Sequence, residues 1–223
     1  MNALVQQDDS TRMEPAMALA LSANFGSVQR WRDSFALLGR SFGGGPGCLA
    51  LVFLPAQGTL EHRWAAHARH AAGDADVILS CSFADVPLDE FVDTIDWAEV
   101  YARYQRAVHA ASEAFGAAQE EVSEVAQAPL LLDVRRAGVF ENAASMIPGA
   151  SWRDPAAVSA WAAGLPRDRE LIVYCVYGHE VGRSTALRLR AAGVPARFLR
   201  GGIDGWQAAG RALAPKAVVG EAR

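Results

Sequence analysis

The stretch Leu171-Ile-Val-Tyr-Cys-Val-Tyr-Gly-His-Glu-Val-Gly-Arg-Ser-Thr-Ala186 sets a single thiol, Cys175, between two runs of different pattern. Leu171 to Tyr174 are apolar, β-branched or aromatic, the composition of a buried parallel strand. Residues 183–192 read as a helix, with Gly193 to cap it. The short loop between them, Val176, Tyr177, Gly178, His179, Glu180 and Val181, brings successive backbone N–H groups and a helix N-terminus toward the sulfur. Positive potential of that kind stabilises a thiolate and any anion bound to it. Free cysteine titrates near ~8.5, so a nucleophile working at neutral pH needs its pKa lowered, and loop amides can do this without a metal or a base. The alternative for the same residue is a packed, inert strand-end cysteine.

The elements that hold this loop are legible on either side of it. Leu130-Leu-Leu-Asp-Val134 reads as another buried strand, followed by a short helix over 136–142. A helix over 152–165 has Asp154 ahead of Pro155 at its start. Ala196-Arg-Phe-Leu199 is a strand and 202–209 a last helix. Strands alternating with helices predict an α/β domain whose parallel sheet is covered on both faces. Ligands of such sheets bind beyond the strands' carboxyl ends, where Cys175 stands.

The preceding residues pattern differently. Helices fill 16–38 with a break at Phe25-Gly-Ser27, Ser27 being placed to cap the run from Val28. A Gly-rich turn, Phe42-Gly-Gly-Gly-Pro-Gly47, leads to strand 48–54, and strands near 59–64 and 77–83 follow. A helix over 96–107, capped by Asp96, closes an α+β domain. From Ala107 to Ala128 the chain carries Glu113, Glu120, Glu121 and Glu124 with no Lys or Arg, and Phe115, Val122 and Val125 at partly helical spacing. That predicts a solvated helix opening the second domain.

A length of 223 residues with 51% hydrophobic and 21% charged residues suits one large or two small soluble domains. The net charge of −4 gives no support to nucleic-acid or anionic-membrane binding. No apolar run is long enough to span a bilayer. Cys48, Cys81 and Cys175 are too few and scattered for a disulfide framework or zinc knuckle, and fit reduced thiols in the cytoplasm. Met1-Asn-Ala-Leu-Val-Gln-Gln-Asp-Asp9 lacks the basic start and apolar core of a signal peptide.

Four motifs follow one another in the second domain: Leu132-Asp-Val-Arg135, Ile147-Pro-Gly-Ala150, the Cys175 loop, and Leu199-Arg-Gly-Gly-Ile-Asp-Gly-Trp206. In these, residues from about 112 to 216 resemble a single-domain rhodanese. The resemblance implies a parallel five-stranded-type sheet and sulfur transfer, Cys175 taking a sulfane sulfur as a persulfide and passing it to a thiol or cyanide. It implies a small anionic or thiol donor and acceptor, and no cofactor. Asp133 and Arg135 match the family's strand-end pair and are expected to support the loop, with a structural salt bridge as their main role. Arg183 is expected to help hold an anionic donor, and His179 to add positive charge or a hydrogen bond, or to be an exposed bystander. Thiosulfate-using loops often carry Lys or Arg beside the cysteine. Here Tyr177, His179 and Glu180 stand there, so thiosulfate is not expected to be the natural donor. Phosphatases of related fold place arginine six residues past the cysteine. That position is Val181, which disfavours phosphate-ester hydrolysis.

Residues 16 to about 108 resemble the C-terminal domain of iron/manganese superoxide dismutases. The likeness rests on Asn24-Phe-Gly-Ser-Val-Gln-Arg-Trp-Arg-Asp-Ser-Phe35, the Gly-rich turn, and Ile95-Asp-Trp-Ala-Glu-Val-Tyr-Ala-Arg-Tyr104. That family binds its metal through three histidines and an aspartate, two histidines from an N-terminal helical hairpin and the other two ligands from an Asp-x-Trp-x-x-His run. Little chain precedes residue 16, and the corresponding run, Ser80-Cys-Ser-Phe-Ala-Asp-Val-Pro-Leu88, has neither Trp nor His. A redox metal needs a fixed ligand shell, so no metal is expected. His62, His67 and His70 form the alternative cluster, weighed against ordinary surface histidines. Cys48 and Cys81 are expected to pack, as are Trp31, Trp64 and Trp97. The domain then serves as scaffold, docking surface or homodimer contact.

The expected layout is a tail (1–15), the dismutase-like domain (16–108), the rhodanese-like domain (109–216) and a second tail (217–223). The favoured function is a sulfurtransferase acting through Cys175. A dismutase-like metalloprotein and a non-catalytic binding or sensing module are the alternatives.

Overall fold

The computed structural model describes residues 12–41, 47–82, 88–124 and 129–216. The chain divides into two compact units, Met1–Pro55 with Thr59–Ala107, and Ala56–Gly58 with Val108–Arg223. Expectations for 42–46, Phe83, the run 84–87, Val125 and much of both tails lie outside the described residues.

In the first unit, α1 (Pro15–Phe25) and α2 (Val28–Ser41) meet at Gly26, whose φ of 87° closes α1 in a left-handed turn with its N–H on Ser22 O. Ser27 Oγ then accepts from Arg30 N at 3.0 Å, the cap read from the sequence. β1 (Cys48–Leu54) is the central strand of an antiparallel sheet, flanked by β2 (Thr59–Ala65) and β3 (Asp76–Ser82). One face of β1 packs Ala50 and Val52 against Ala65 and Ala71, the latter from α3 (Ala68–Ala72). Larger side chains fill the rest of the core. Trp31 and Trp97 meet edge to face with ring centroids 5.3 Å apart, Phe35 stacks on Phe91 of α4 (Leu88–Asp93), and the Phe53 and Tyr104 ring centroids are 5.8 Å apart. Trp97 opens α5 (Trp97–Ser112), where Asp96 accepts from Glu99 N. Cys48 and Cys81 are buried as expected. Trp64 is not in the core: it is 44% exposed near the end of the edge strand β2, over Gly47.

The second unit is built on a parallel sheet with strand order β4 (Gly116–Ala117), β9 (Ala196–Leu199), β8 (Leu171–Tyr174), β5 (Leu130–Asp133), β7 (Ser151–Trp152). β6 (Ser145–Met146) and β10 (Ala214–Pro215) form a separate antiparallel ribbon. β8 is buried on both faces. Leu171 and Val173 pack with Ala186 and Leu189 of α9 (Glu180–Ala191), while Ile172 and Tyr174 pack with Ile203 and Trp206 of α10 (Gly202–Ala208). Alternate residues of one strand thus anchor helices on opposite faces.

Two expectations need correction. The acidic stretch after Ala107 is not one solvated helix. α5 runs to Ser112, a 3-10 turn covers Glu113–Phe115, β4 adds an edge strand, and α6 (Glu121–Glu124) follows. Two of its carboxylates are partners for arginines: Glu121 meets Arg197 at 2.6 Å, and Glu113 bridges Arg183 and Arg200. Charge alone does not distinguish a solvated face from a row of ion-pair acceptors. The helix over 152–165 is likewise broken. Trp152 pairs with Asp133 in β7, and from Pro155 the chain makes a 3-10 turn, then α8 (Val158–Trp161), then another 3-10 turn. Asp154 accepts from Ala156 N at 2.9 Å and so caps the first of these pieces. Between β5 and β7, α7 (Ala137–Glu141) is the short helix expected at 136–142.

Candidate active site

Cys175 is the first residue past β8 and is buried, at 5% exposure. The backbone N–H groups of Gly178, His179 and Gly182 bond to its sulfur. A Cβ added at Gly182 would stand 3.4 Å from Sγ, ordinary van der Waals contact, so the first turn of α9 lies directly against the sulfur. Gly182 lies one residue beyond the loop singled out from the sequence. The helix begins at Glu180, three residues earlier than expected, and that shift brings its amide into the site.

The loop is held from outside by the first turn of α10. Ile203 N donates to Cys175 O and Asp204 N to Val176 O, both at 3.0 Å. With those carbonyls taken outward, the loop's remaining N–H groups are free to face the sulfur. The approach is close enough to demand glycine on both sides. A Cβ at Gly178 (φ 69°) would lie 2.6 Å from Leu199 O, and one at Gly202 (φ 59°) 2.5 Å from Cys175 O. The glycines of Leu199-Arg-Gly-Gly-Ile-Asp-Gly-Trp206 were visible in the sequence, but their contact with the cysteine loop was not.

Around this cup, Tyr177 and His179 are exposed, Val176 and Val181 half-buried, and Glu180 buried in the first turn of α9. The His179 ring lies 5.7 Å from Tyr177 and 6.0 Å from His109, which the sequence reading did not select. His109 Nε2 is buried with no hydrogen-bond partner among the described residues. Burial first, then Arg183, hold its pKa below the ordinary histidine value.

Arg183 is placed otherwise than expected. Its Nε donates to Gly178 O at 3.0 Å, its Nη1 to Ser112 Oγ and Glu113, and its guanidinium covers the Phe198 ring at 4.2 Å. It braces the loop, and those groups are committed to protein contacts rather than to an anionic donor. Asp133 and Arg135 form a buried ion pair in which Arg135 Nε reaches both carboxylate oxygens at 3.0 and 2.9 Å, with Nη2 also on Ser145 O. Asp133 bonds the Tyr174 hydroxyl, which also accepts from Ile147 N at 3.2 Å. Burial, then Asp133, push that phenol far above its usual range. The pair thereby fixes the residue immediately before Cys175.

The electrostatics of the thiol differ from the expectation. Burial pushes Cys175 above the ordinary thiol range, the N–H groups of Gly182, Gly178 and His179 pull it down, and Glu180 pushes it up again. The three N–H groups do not outweigh desolvation of the bare thiolate. In a persulfide the charge resides on the outer sulfur, roughly 2 Å farther from the strand.

Residues 117–209 match the family model of the rhodanese-like domain. The C-terminal unit carries a rhodanese-like domain. Similar solved structures include a rhodanese-related protein from Thermoplasma volcanium, with 23% identity over 44% of this chain and 96% of that one and a TM-score of 0.38. A rhodanese-like domain protein from Staphylococcus aureus has 20% identity over 46% and 98%, with a TM-score of 0.39. In its N-terminal part the chain is similar to the iron superoxide dismutase of Cupriavidus metallidurans, with 30% identity over 112 residues, 45% of this chain and 57% of that protein. The chain thus spans little more than half the length of that relative.

The described residues of the dismutase-like unit do not fit an iron or manganese shell. His62 lies between Phe25 and Phe35, with ring centroids at 4.7 and 5.4 Å, so rings stand where co-ligands would be needed. His67 and His70 are exposed, edge to face at 5.4 Å. Among the described residues no group of three or more His, Cys, Asp or Glu is placed to hold a metal. No helix among them is long and apolar enough to cross a membrane.

Proposed function

We propose that the rhodanese-like domain is a sulfurtransferase working through a persulfide on Cys175. The observation that carries this reading is the cup of three backbone N–H groups, from Gly178, His179 and Gly182, bonded to one sulfur at the carboxyl end of β8. The thiolate attacks a sulfane sulfur, whose bond to its carrier breaks with the electron pair leaving on the carrier. An acceptor nucleophile then attacks the outer sulfur, and the S–S pair returns to Sγ. Negative charge sits on Sγ, the outer sulfur or the leaving group throughout, and fixed dipoles aimed at that region lower the barrier without reorganising. Val176, Tyr177, His179, Glu180 and Val181 shape access to the cup, and Asp133, Arg135 and Arg183 keep it rigid. The three free thiols support a reducing, cytoplasmic setting.

Replacing Cys175 by Ser and assaying sulfur transfer from several donors tests the reading. Activity should vanish, and equal turnover in both proteins would remove it. The burial of Sγ favours one other reading, a module that binds or senses without turnover. In that case the wild-type protein would transfer no sulfur from any donor.

A further inference from the structure

The rim of the Cys175 loop carries information about the sulfur donor, and the inference rests on the sulfurtransferase reading above. From Cys175 to Gly182 there is no Lys or Arg. The next basic residue, Arg183, is engaged by Gly178 O, Ser112 and Glu113, and Glu113 also holds Arg200. One carboxyl group stands in the loop itself, buried Glu180, and it acts on the Cys175 sulfur. What the loop shows to solvent is aromatic. Tyr177 is 56% exposed with its ring 5.7 Å from that of His179.

Thiosulfate brings two negative charges to a site where the nucleophile is itself an anion and Glu180 opposes negative charge. Like charges a few ångströms apart repel even in bulk water, and more strongly beside protein. An organic thiosulfonate, R–SO2–S⁻, or an organic persulfide, R–S–S⁻, brings one charge and an apolar group with a ring face to lie on.

We propose that this loop selects monoanionic organic sulfane-sulfur donors bearing a flat apolar substituent, with Tyr177 and His179 as the platform and Glu180 acting against dianions. With a thiosulfonate, Cys175 Sγ attacks the terminal sulfur and the bond to the sulfonyl sulfur breaks. The electron pair leaves on the sulfinate, R–SO2⁻, and Cys175 is left as the persulfide anion. Cyanide then takes the outer sulfur as thiocyanate and the pair returns to Sγ, so no external oxidant or reductant is needed.

The test uses the full chain with cyanide as acceptor and compares benzenethiosulfonate, methanethiosulfonate and thiosulfate. Each kcat/KM is divided by the uncatalysed rate of the same donor with cyanide. The expected order is benzene, then methane, then thiosulfate, the extremes differing by at least about ten-fold. Tyr177→Ala should lower the benzenethiosulfonate value about ten-fold, toward that of methanethiosulfonate. Tyr177→Arg should raise the thiosulfate value by on the order of ten-fold. Thiosulfate equal or best in the wild type, or the same loss for all three donors in Tyr177→Ala, would overturn the donor assignment and leave sulfur transfer standing. No transfer above the Cys175→Ser background from any donor would overturn both.

Discussion

At Cys175 a buried sulfur meets three peptide N–H groups and a nearby carboxylate, and desolvation wins over the donors. The thiolate form therefore grows in above the ordinary range, and alkylation of Cys175 by iodoacetamide should keep accelerating as pH rises past ~8.5. Glu180→Gln removes the charge that opposes ionisation and should shift this profile to lower pH. A plateau below neutral pH in the wild type would contradict the assignment. The Asp133–Arg135 pair sets a second residue-scale expectation. Asp133 is fully buried, and removing it leaves a guanidinium uncompensated beneath Tyr174. Asp133→Ala should cost about 3–5 kcal/mol in urea unfolding, and a loss under about 1 kcal/mol would show the pair to be dispensable. The strand-end position of Cys175 and the Asp133–Arg135 pair were legible in the sequence because each sits in a short motif with a local mechanism. Gly182, His109 and the brace made by Arg183 were not, since each depends on where α9 begins or on what α5 brings to the loop.

At the scale of elements, the site is two helix starts closed onto one loop. α9 supplies the Gly182 amide, and α10 takes the carbonyls of Cys175 and Val176. Gly202→Ala would drive a Cβ into Cys175 O in a backbone conformation that alanine resists. Sulfur transfer should fall on the order of a hundred-fold as the loop shifts, with far-ultraviolet dichroism retained. Gly138→Ala, with nothing within 4 Å of the new atom, is the control and should leave turnover as it was. Equal activity in the two variants would mean that the close approach does not set the loop. Strands β5, β8 and β9 were readable from short β-branched runs, and the caps at Ser27, Asp96 and Asp154 from residue type. The breaks in 152–165 and 107–128 were not readable. Helical spacing persists through 3-10 turns, and the two-residue strands β4 and β7 have no pattern of their own until they pair.

Over the whole molecule, the two units answer to different physics. In the dismutase-like unit burial lowers His62 to about 4, while the unfolded chain takes up this proton near ~6.5. The unfolded state therefore binds more protons between those values, and stability present above pH ~6.5 is lost as pH falls toward 4. Unfolding followed by the fluorescence of Trp31 and Trp97 should show that loss, and His62→Phe should flatten it. The same slope in both proteins would place the titration elsewhere. The chain's similarity to a dismutase and its rhodanese-like domain both follow sequence motifs, whereas among the described residues no group of three or more His, Cys, Asp or Glu is placed to hold a metal. The central claim concerns the other unit: Cys175 carries sulfur. The most direct test is the intact mass of the wild-type protein and of Cys175→Ser after exposure to a sulfane-sulfur donor and removal of the excess. The wild type should gain the mass of one sulfur, located to Cys175 and discharged by cyanide, and the variant none. An unchanged wild-type mass, or the same gain in both proteins, would contradict it.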